Sequence, residues 1–457
     1  MTIAHFDTVV LGGGISGLIA ALLVRESDSD GSIIVFESSE RLGGAVAGSQ
    51  FLGSDFDLGT HIFQETGVNR VDGLLRQAVG EENLNVMDSS EGDRAGTIVD
   101  DRIYQDTQYL NLSELNRDLA IHVVDHVTQG ASSVEALSFS GVRHRPIATV
   151  ANSWFGRHTT DSILLPTISK WFGDPEPLSG FALELANLTR LQAANESVWQ
   201  HHAHSRWFRM RIAYPDQNRL PLEFRHTRKS LYPRYGSSQK FVDGLKKMCI
   251  FSNIKIATKT RLSHVDPVTR RASISGETLS GQLSFRRLVS TLGPLSTVSL
   301  IGGGTGVQAD RVETRIVNHL LSSPTDSDLC YLYVHTRNTP VFRITNYRAF
   351  SGHSDDRRLT TELISPAQLT DDRVILEAEN ILYGSGLLNR NSKVNSEIVP
   401  YPGGFPRPTV AMFGAYLAAS RDLEPLTSDD FVVSGVGAAG SVFFQNEVLL
   451  HLHSKLM

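Results

Sequence analysis

Cysteine is nearly absent from this sequence: Cys249 and Cys330 are the only two. Two thiols exclude a disulfide framework and leave too few ligands for a cysteine zinc site. No apolar run approaches the length, about 18 residues, that a membrane-spanning helix needs. The first apolar strand begins within a few residues of Met1. That leaves no room for a signal peptide, so the expected location is the cytoplasm. Excess positive charge is also missing. Lys and Arg number 43 against 49 Asp and Glu, for a net charge of −6. This balance argues against general binding to nucleic acid or to a membrane surface. There is no collagen-like or disordered bias, and 40% hydrophobic with 20% charged residues is ordinary for a soluble globular chain. At 457 residues, two domains with a sizeable core are expected.

What is present starts at Phe6-Asp-Thr-Val-Val-Leu-Gly12-Gly-Gly14-Ile-Ser-Gly17-Leu. Val9, Val10 and Leu11 read as a buried parallel strand. Gly12-x-Gly14-x-x-Gly17 follows, then an apolar helix. This is the strand, turn and helix of a dinucleotide-binding unit. Gly12 permits the tight turn, Gly14 lets the backbone approach a pyrophosphate, and Gly17 lets helix and strand pack closely. The helix N-terminus then favours the anion. A second apolar strand, Ser32-Ile-Ile-Val-Phe36, ends in Glu37, twenty residues after Gly17. That spacing suits the acid that binds a ribose hydroxyl, and a carboxylate there disfavours the extra phosphate of NADP.

Glu37-x-x-x-Arg41-x-Gly43-Gly44 resembles the second FAD signature of the glutathione-reductase-like flavoproteins. More narrowly, it resembles the group holding amine oxidases, protoporphyrinogen oxidase, phytoene desaturases and UDP-galactopyranose mutase. Asp57-Leu-Gly59-Thr-His61-Ile-Phe63 is similar to an Asp-x-Gly-x-His-x-Phe loop of the mutase and of oxidase-like proteins found with sugar genes. In those families the loop lies against the flavin. The resemblance therefore implies Gly59, Thr60 and His61 beside the ring. By its residues alone, His61 reads as a hydrogen-bonded core histidine. The segment from Trp154-Phe-Gly156 through Pro166 and Lys170-Trp171-Phe-Gly173 to Leu178-Ser179 resembles the same branch, and Arg190 falls where a following helix carries an arginine.

Later segments extend the likeness. Leu231-Tyr232-Pro233-Arg-Tyr-Gly236 is similar to the stretch that re-enters the FAD domain. Ile254 to Leu262 reads as a strand, with Arg261 and Leu262 where relatives contact the adenine end. Arg287 to Leu295 resembles the strand closing the sheet. Val341-Phe-Arg343-Ile-Thr-Asn-Tyr347 resembles a substrate-side strand. Gly435-Val-Gly437-Ala-Ala-Gly440-Ser441 looks like the last glycine turn before the final helix, although Val436 stands where the mutases carry arginine.

The resemblance implies an α/β fold: a glutathione-reductase-like Rossmann FAD-binding domain with a discontinuous α+β substrate domain. The expected FAD-binding domain is 1–80, 212–300 and 400–457, and the substrate domain 81–211 and 301–399. It implies non-covalent FAD held by Gly12, Gly14, Ile15, Ser16, Gly17, Glu37, Ser38, Arg41, Gly43 and Gly44, with Gly59, Thr60, His61, Arg261, Leu262, Gly435, Gly437 and Ser441. Catalytic candidates are His61, Arg343 and Tyr347. Arg190, Arg209, Arg343 and Tyr347 are substrate-side candidates.

Residues 80 to 110, with the polar stretch Asp88 to Asp93, read as a strand-and-loop excursion, residues 111 to 200 as mostly helical, and Gly302 to Gly306 as a flexible connection. Arg206-Trp-Phe-Arg209-Met-Arg211 through Lys229 reads either as a solvated strand face or as an anionic-substrate site. His202 and His204 would share a face of a strand, without a carboxylate partner, so no metal site is expected. The implied activity is oxidation of a small-molecule substrate, anionic or from a sugar pathway, by hydride transfer to FAD. A UDP- or dTDP-sugar pyranose–furanose mutase and a non-catalytic flavin-binding protein are the alternatives. Thr260 to Ser392 contains no lysine, which weighs against an amine oxidase using a lysine near the flavin.

Overall fold

The structure is a computed structural model. It describes residues 4–87, 94–130, 139–225, 228–277, 279–303, 310–365, 368–401 and 404–457. Asp88 to Asp93 and Gly304 to Gly306 lie outside the described residues, as do His226 and Thr227 of the basic stretch.

Two large sheets organise the chain. The first is built on β1 (Ala4–Leu11), followed by helix α1 (Ile15–Ser27) and β2 (Ile33–Phe36). Its order is Lys255–Ala257, β2, β1, Gly281–Ser290, Arg271–Gly276 and Thr260–Asp266; Phe431–Val433 also pairs with Gly281–Ser290. The core strands are parallel, with Val10 opposite both Val35 and Val289. Helices cover both faces, which is why these strands are apolar without alternation. Val10 packs towards α1, Leu245 of helix Gln239–Phe251 and Leu449 of the C-terminal helix Gln445–Leu456. Val9 packs on the other face with Val298, Ala419 and Leu423.

The second sheet runs Val394–Pro400, Arg311–Leu321, Arg358–Ser365, Val341–Asn346, Tyr331–Val334, Ala95–Val99 and Arg102–Tyr104, with Phe405–Pro406 on Arg311–Leu321. Every pair is antiparallel except Tyr331–Val334 with Ala95–Val99. Helix Asp371–Gly384 covers one face. Between these pieces, helices from Leu112 to Arg211 build a separate aromatic core around Trp154, Trp171, Phe172 and Phe208. A smaller cluster of Phe56, Met87, Tyr232, Tyr347 and Phe350 joins the first domain to the second sheet.

The α/β architecture matches the expectation, and three local readings do not. Ile254 to Leu262 is not one strand. Lys255–Ala257 and Thr260–Asp266 are separated by Lys259 at φ +49°, and the two strands stand at opposite ends of the strand order, the first paired with β2 and the second with Arg271–Gly276. Arg206–Arg211 is a short helix, capped when the Ser205 side chain accepts from the Phe208 N–H, and not a strand face. His201 and His202 likewise close helix Glu196–His202. Ile212 and Tyr214 pack in the helical core, and Phe405–Pro406 belongs to the second sheet.

Candidate functional site

At the end of β1 the chain turns through Gly12, whose φ of +102° suits only glycine. The Gly12 N–H donates to the Phe36 carbonyl at 2.9 Å, tying the turn to β2. Helix α1 then starts at Ile15, with Gly14 as an N-cap that offers no side-chain acceptor. Its first-turn N–H groups are therefore aimed outward with no cap, the arrangement that receives an anion. A Cβ at Gly17 would lie 1.8 Å from the Gly12 carbonyl oxygen, so helix and turn touch backbone to backbone there. A Cβ at Gly14 would meet nothing closer than the Gly43 oxygen at 3.7 Å. The fold itself has room for a side chain at Gly14.

The second loop closes over this turn. The Gly43 N–H donates to the Gly13 carbonyl at 3.0 Å. Glu37 Oε2 accepts the Gly13 N–H at 2.8 Å, and Oε1 accepts the Ser39 N–H and hydroxyl at 2.7 and 2.8 Å. Glu37 thus braces both loops and keeps lone pairs free for a ribose hydroxyl. Ser38, Arg41 and Gly44 are exposed at the rim. Arg41 also lines a polar cavity of about 430 Å³ with Gln239, Lys240, Asp243 and Lys246. The last glycine turn abuts the same place. Gly293 donates to Ser434, and Gln445 Nε2 reaches Ser16 Oγ of α1 at 3.1 Å. Gly435 and Gly437 take φ of +110° and +87° in that turn. Leu292 and Val436 remain 43% and 40% exposed beside it, apolar surface of the kind a ring system covers. These residues fit a dinucleotide cofactor. Ile15 contributes backbone only, since its side chain is buried. Leu262 points into the core, which removes its side chain from the site, while Arg261 is exposed.

The Asp57–Phe63 loop is held at two points by buried acids. Asp57 is fully buried and accepts the Tyr232 hydroxyl at 2.6 Å and the Ser238 N–H and hydroxyl at 2.7 and 2.6 Å. Glu362, from the second sheet, accepts the Thr60 N–H and hydroxyl, both at 2.9 Å. It also takes Arg343 in a two-point pair at 2.8 and 2.9 Å. Burial pushes the Glu362 carboxyl up, but Arg343 and the Thr60 donors hold it below the usual carboxylate range. Thr60 Oγ1 further contacts Thr345 Oγ1. His61 is half-buried, and its Nε2 lies 3.1 Å from the Leu58 carbonyl. A carbonyl only accepts, so Nε2 carries the proton and Nδ1 is left as an acceptor. Burial pushes the imidazole below its ordinary value, so His61 is neutral near pH 7.

The basic candidates separate from one another. Arg343 is spoken for by Glu362. Tyr347, expected at the substrate side, is instead fully buried. Its hydroxyl accepts the Asp57 N–H at 2.9 Å and meets Thr360 Oγ1 at 2.9 Å, so it is a joint between loop and sheet. Arg209 donates to the Ala203 carbonyl and lies 4.9 Å over the Phe224 ring, which places it within the helical region. Arg190 is half-buried, with Tyr109 as its neighbour at 3.5 Å; among the described residues no carboxylate pairs with it. Arg211 is buried between the Trp154 and Trp207 rings, and burial, followed by the charge of Arg190, pushes it down to about 9.

Lys170 of the Lys-Trp motif proves to be a clasp. Its ammonium donates to the carbonyls of Val334, Thr336 and Val341 at 2.6, 2.7 and 3.2 Å, closing the turn between two strands of the second sheet. Among the described residues no group of His, Cys, Asp and Glu forms a metal site. No helix among them is long and apolar enough to cross a membrane.

Sequence reading missed Glu362, for which an acid between Thr361 and Leu363 inside a strand was the available sign.

The NAD(P)-binding Rossmann-like domain family matches residues 10–78. No curated protein matches the chain. Solved structures match it along its whole length. Reduced UDP-galactopyranose mutase superimposes with a TM-score of 0.72 at 16% identity, covering 100% of this chain and 93% of that one. A putative protoporphyrinogen oxidase from Exiguobacterium sp. 255-15 gives 0.60 at 14%, covering 100% and 98%. Putrescine oxidase bound to putrescine gives 0.58 at 13%, covering 99% and 98%. At these identities the likeness establishes the fold, and it is the fold of the group that the motifs resemble.

Proposed function

We propose that this protein binds FAD and is an oxidoreductase acting on a small, anionic molecule. One observation carries the reading: an uncapped α1 N-terminus, with space at Gly14, is joined through the Asp57–Phe63 loop to a second sheet. When bound, FAD supplies a hydride acceptor, which this chain's side chains do not. The residues supply position and charge. The α1 N-terminus and the Gly43-Gly44 loop hold the pyrophosphate, and Glu37 takes a ribose hydroxyl. Asp57 and Glu362 fix the loop that carries His61. Neutral His61 takes the proton that a substrate gives up alongside its hydride, at Nδ1. Arg190, with no carboxylate partner among the described residues, attracts the anionic group.

A second reading is a sugar-nucleotide mutase that uses reduced FAD. The whole-length likeness to UDP-galactopyranose mutase supports it. So does the lack of lysine from Thr260 to Ser392, which removes the lysine expected of an amine oxidase. One experiment tests both. The purified protein is loaded with FAD and mixed anaerobically with amines, porphyrinogens and UDP- or dTDP-sugars. Bleaching of the flavin spectrum by a substrate supports oxidation. Ring-form interconversion only after dithionite supports the mutase. A chain that takes up no FAD refutes both.

A further inference from the structure

Arg143 joins three segments that are far apart in sequence. Its Nε and Nη2 donate to Glu184 at 3.1 and 2.7 Å, so one side of the guanidinium grips helix Phe181–Leu185. Its Nη1 and Nη2 donate to Glu447 at 3.0 and 2.9 Å, and Nη1 also donates to the Ser441 carbonyl at 2.6 Å. The side chain is 6% exposed and lies between the rings of Phe181 and Phe444, 5.0 and 5.5 Å from their centres. Glu447 is shared in turn: Oε2 accepts the N–H groups of Phe443 and Phe444 at 2.9 and 3.1 Å. The turn from Ser441 to Phe444 is thereby fixed. The next residue, Gln445, reaches Ser16 at the uncapped end of α1.

We propose that Arg143 is a positioning residue for the dinucleotide site, holding the Ser441–Glu447 turn in the place where Gln445 meets the α1 N-terminus. The seating of the helical region on the C-terminal helix then sets cofactor affinity. The reason is geometric. A guanidinium presents five donors in one plane, and here it bridges two carboxylates and a carbonyl at once. Lysine has a single nitrogen and cannot span them. The inference rests on FAD being the ligand of the α1 cradle.

The test titrates FAD-free protein with FAD and follows quenching of flavin fluorescence. Arg143→Met and Glu447→Ala are expected to weaken binding about tenfold, on the scale of one charge-assisted hydrogen bond. Arg143→Lys should not rescue it. Glu447→Gln keeps the oxygen that accepts from Phe443, Phe444 and Arg143 Nη1 but sets an amide N–H against Arg143 Nη2, so its affinity should fall between those of wild type and Glu447→Ala. Circular dichroism at the titration temperature establishes that each variant is folded. Folded Arg143→Met with a lowered melting temperature but an unchanged dissociation constant overturns the proposal. If that variant does not fold, Glu447→Ala and Gln445→Ala decide, and unchanged affinity in both overturns it. Wild-type protein that takes up no FAD removes the cofactor reading and this proposal together, a result distinct from a clamp without effect.

Discussion

Two glycines three residues apart should respond to alanine in opposite ways. At Gly17 an added Cβ would sit 1.8 Å from the Gly12 oxygen, and ordinary contact begins at 3.4 Å. Helix α1 and its turn would have to part by about 1.6 Å, at the packed centre of the first sheet. Overpacking of that kind costs about 3 kcal/mol, or roughly 5–10 °C in melting temperature for a domain of this size. At Gly14 the nearest atom would be 3.7 Å away, and the backbone φ of −75° carries no strain for alanine. Losing glycine at an N-cap costs about 1 kcal/mol or less. The methyl group would instead occupy the approach to the free N–H groups. Excluding a pyrophosphate by that much is worth about 2–3 kcal/mol, or roughly 100-fold in FAD affinity. The assays are differential scanning fluorimetry of the FAD-free variants and FAD titration by fluorescence quenching. Gly17→Ala should melt early. Gly14→Ala should melt within about 3 °C of wild type and bind FAD poorly. Gly14→Ala with wild-type FAD affinity would refute the cradle, and equal destabilisation by both would refute the packing argument.

Three further outcomes are expected. Asp57→Asn places an amide where three donors converge. It should cost about 3 kcal/mol by urea denaturation, and a loss under about 0.5 would show that those contacts contribute little. His319 is fully buried between Ser396 and Thr361, and burial pushes it from the ordinary 6.5 down to about 3. The unfolded chain therefore binds one more proton than the folded chain across that window. Stability is complete above pH 6.5 and falls on acidification by about 1.4 kcal/mol per pH unit for this group. The gap between wild type and His319→Gln in denaturation midpoint should narrow from pH 7 to pH 4; a constant gap would count against a neutral buried His319. Arg190→Met should raise KM for an anionic substrate about tenfold with FAD content and kcat retained, whereas loss of bound FAD would move Arg190 out of the substrate role.

Short-range geometry was legible in the residues. The Gly12–Gly17 turn, the second strand ending in Glu37 and the Gly43-Gly44 loop are all close in sequence. Their chemistry follows from backbone shape, which glycine and strand patterns announce. The strands at Tyr331–Val334 and Val341–Asn346 were legible because aromatic and β-branched residues crowd there. The basic stretch misled because arginines suit a helix or a strand surface equally, and only packing against Trp154 and Trp207 took Arg211 inside.

The sequence by itself determined a dinucleotide turn at the N-terminus, a parallel sheet around it and a glycine-rich return near the C-terminus. Tertiary structure alone decided which charges are free. Arg343 meets Glu362 across neighbouring strands, nineteen residues apart; Arg143 meets Glu447 more than three hundred residues away. Whether a guanidinium is a ligand for substrate or a clamp within the protein depends on the acid it meets in space. No spacing along the chain encodes that, because the pairing is made only when the sheets and helices pack.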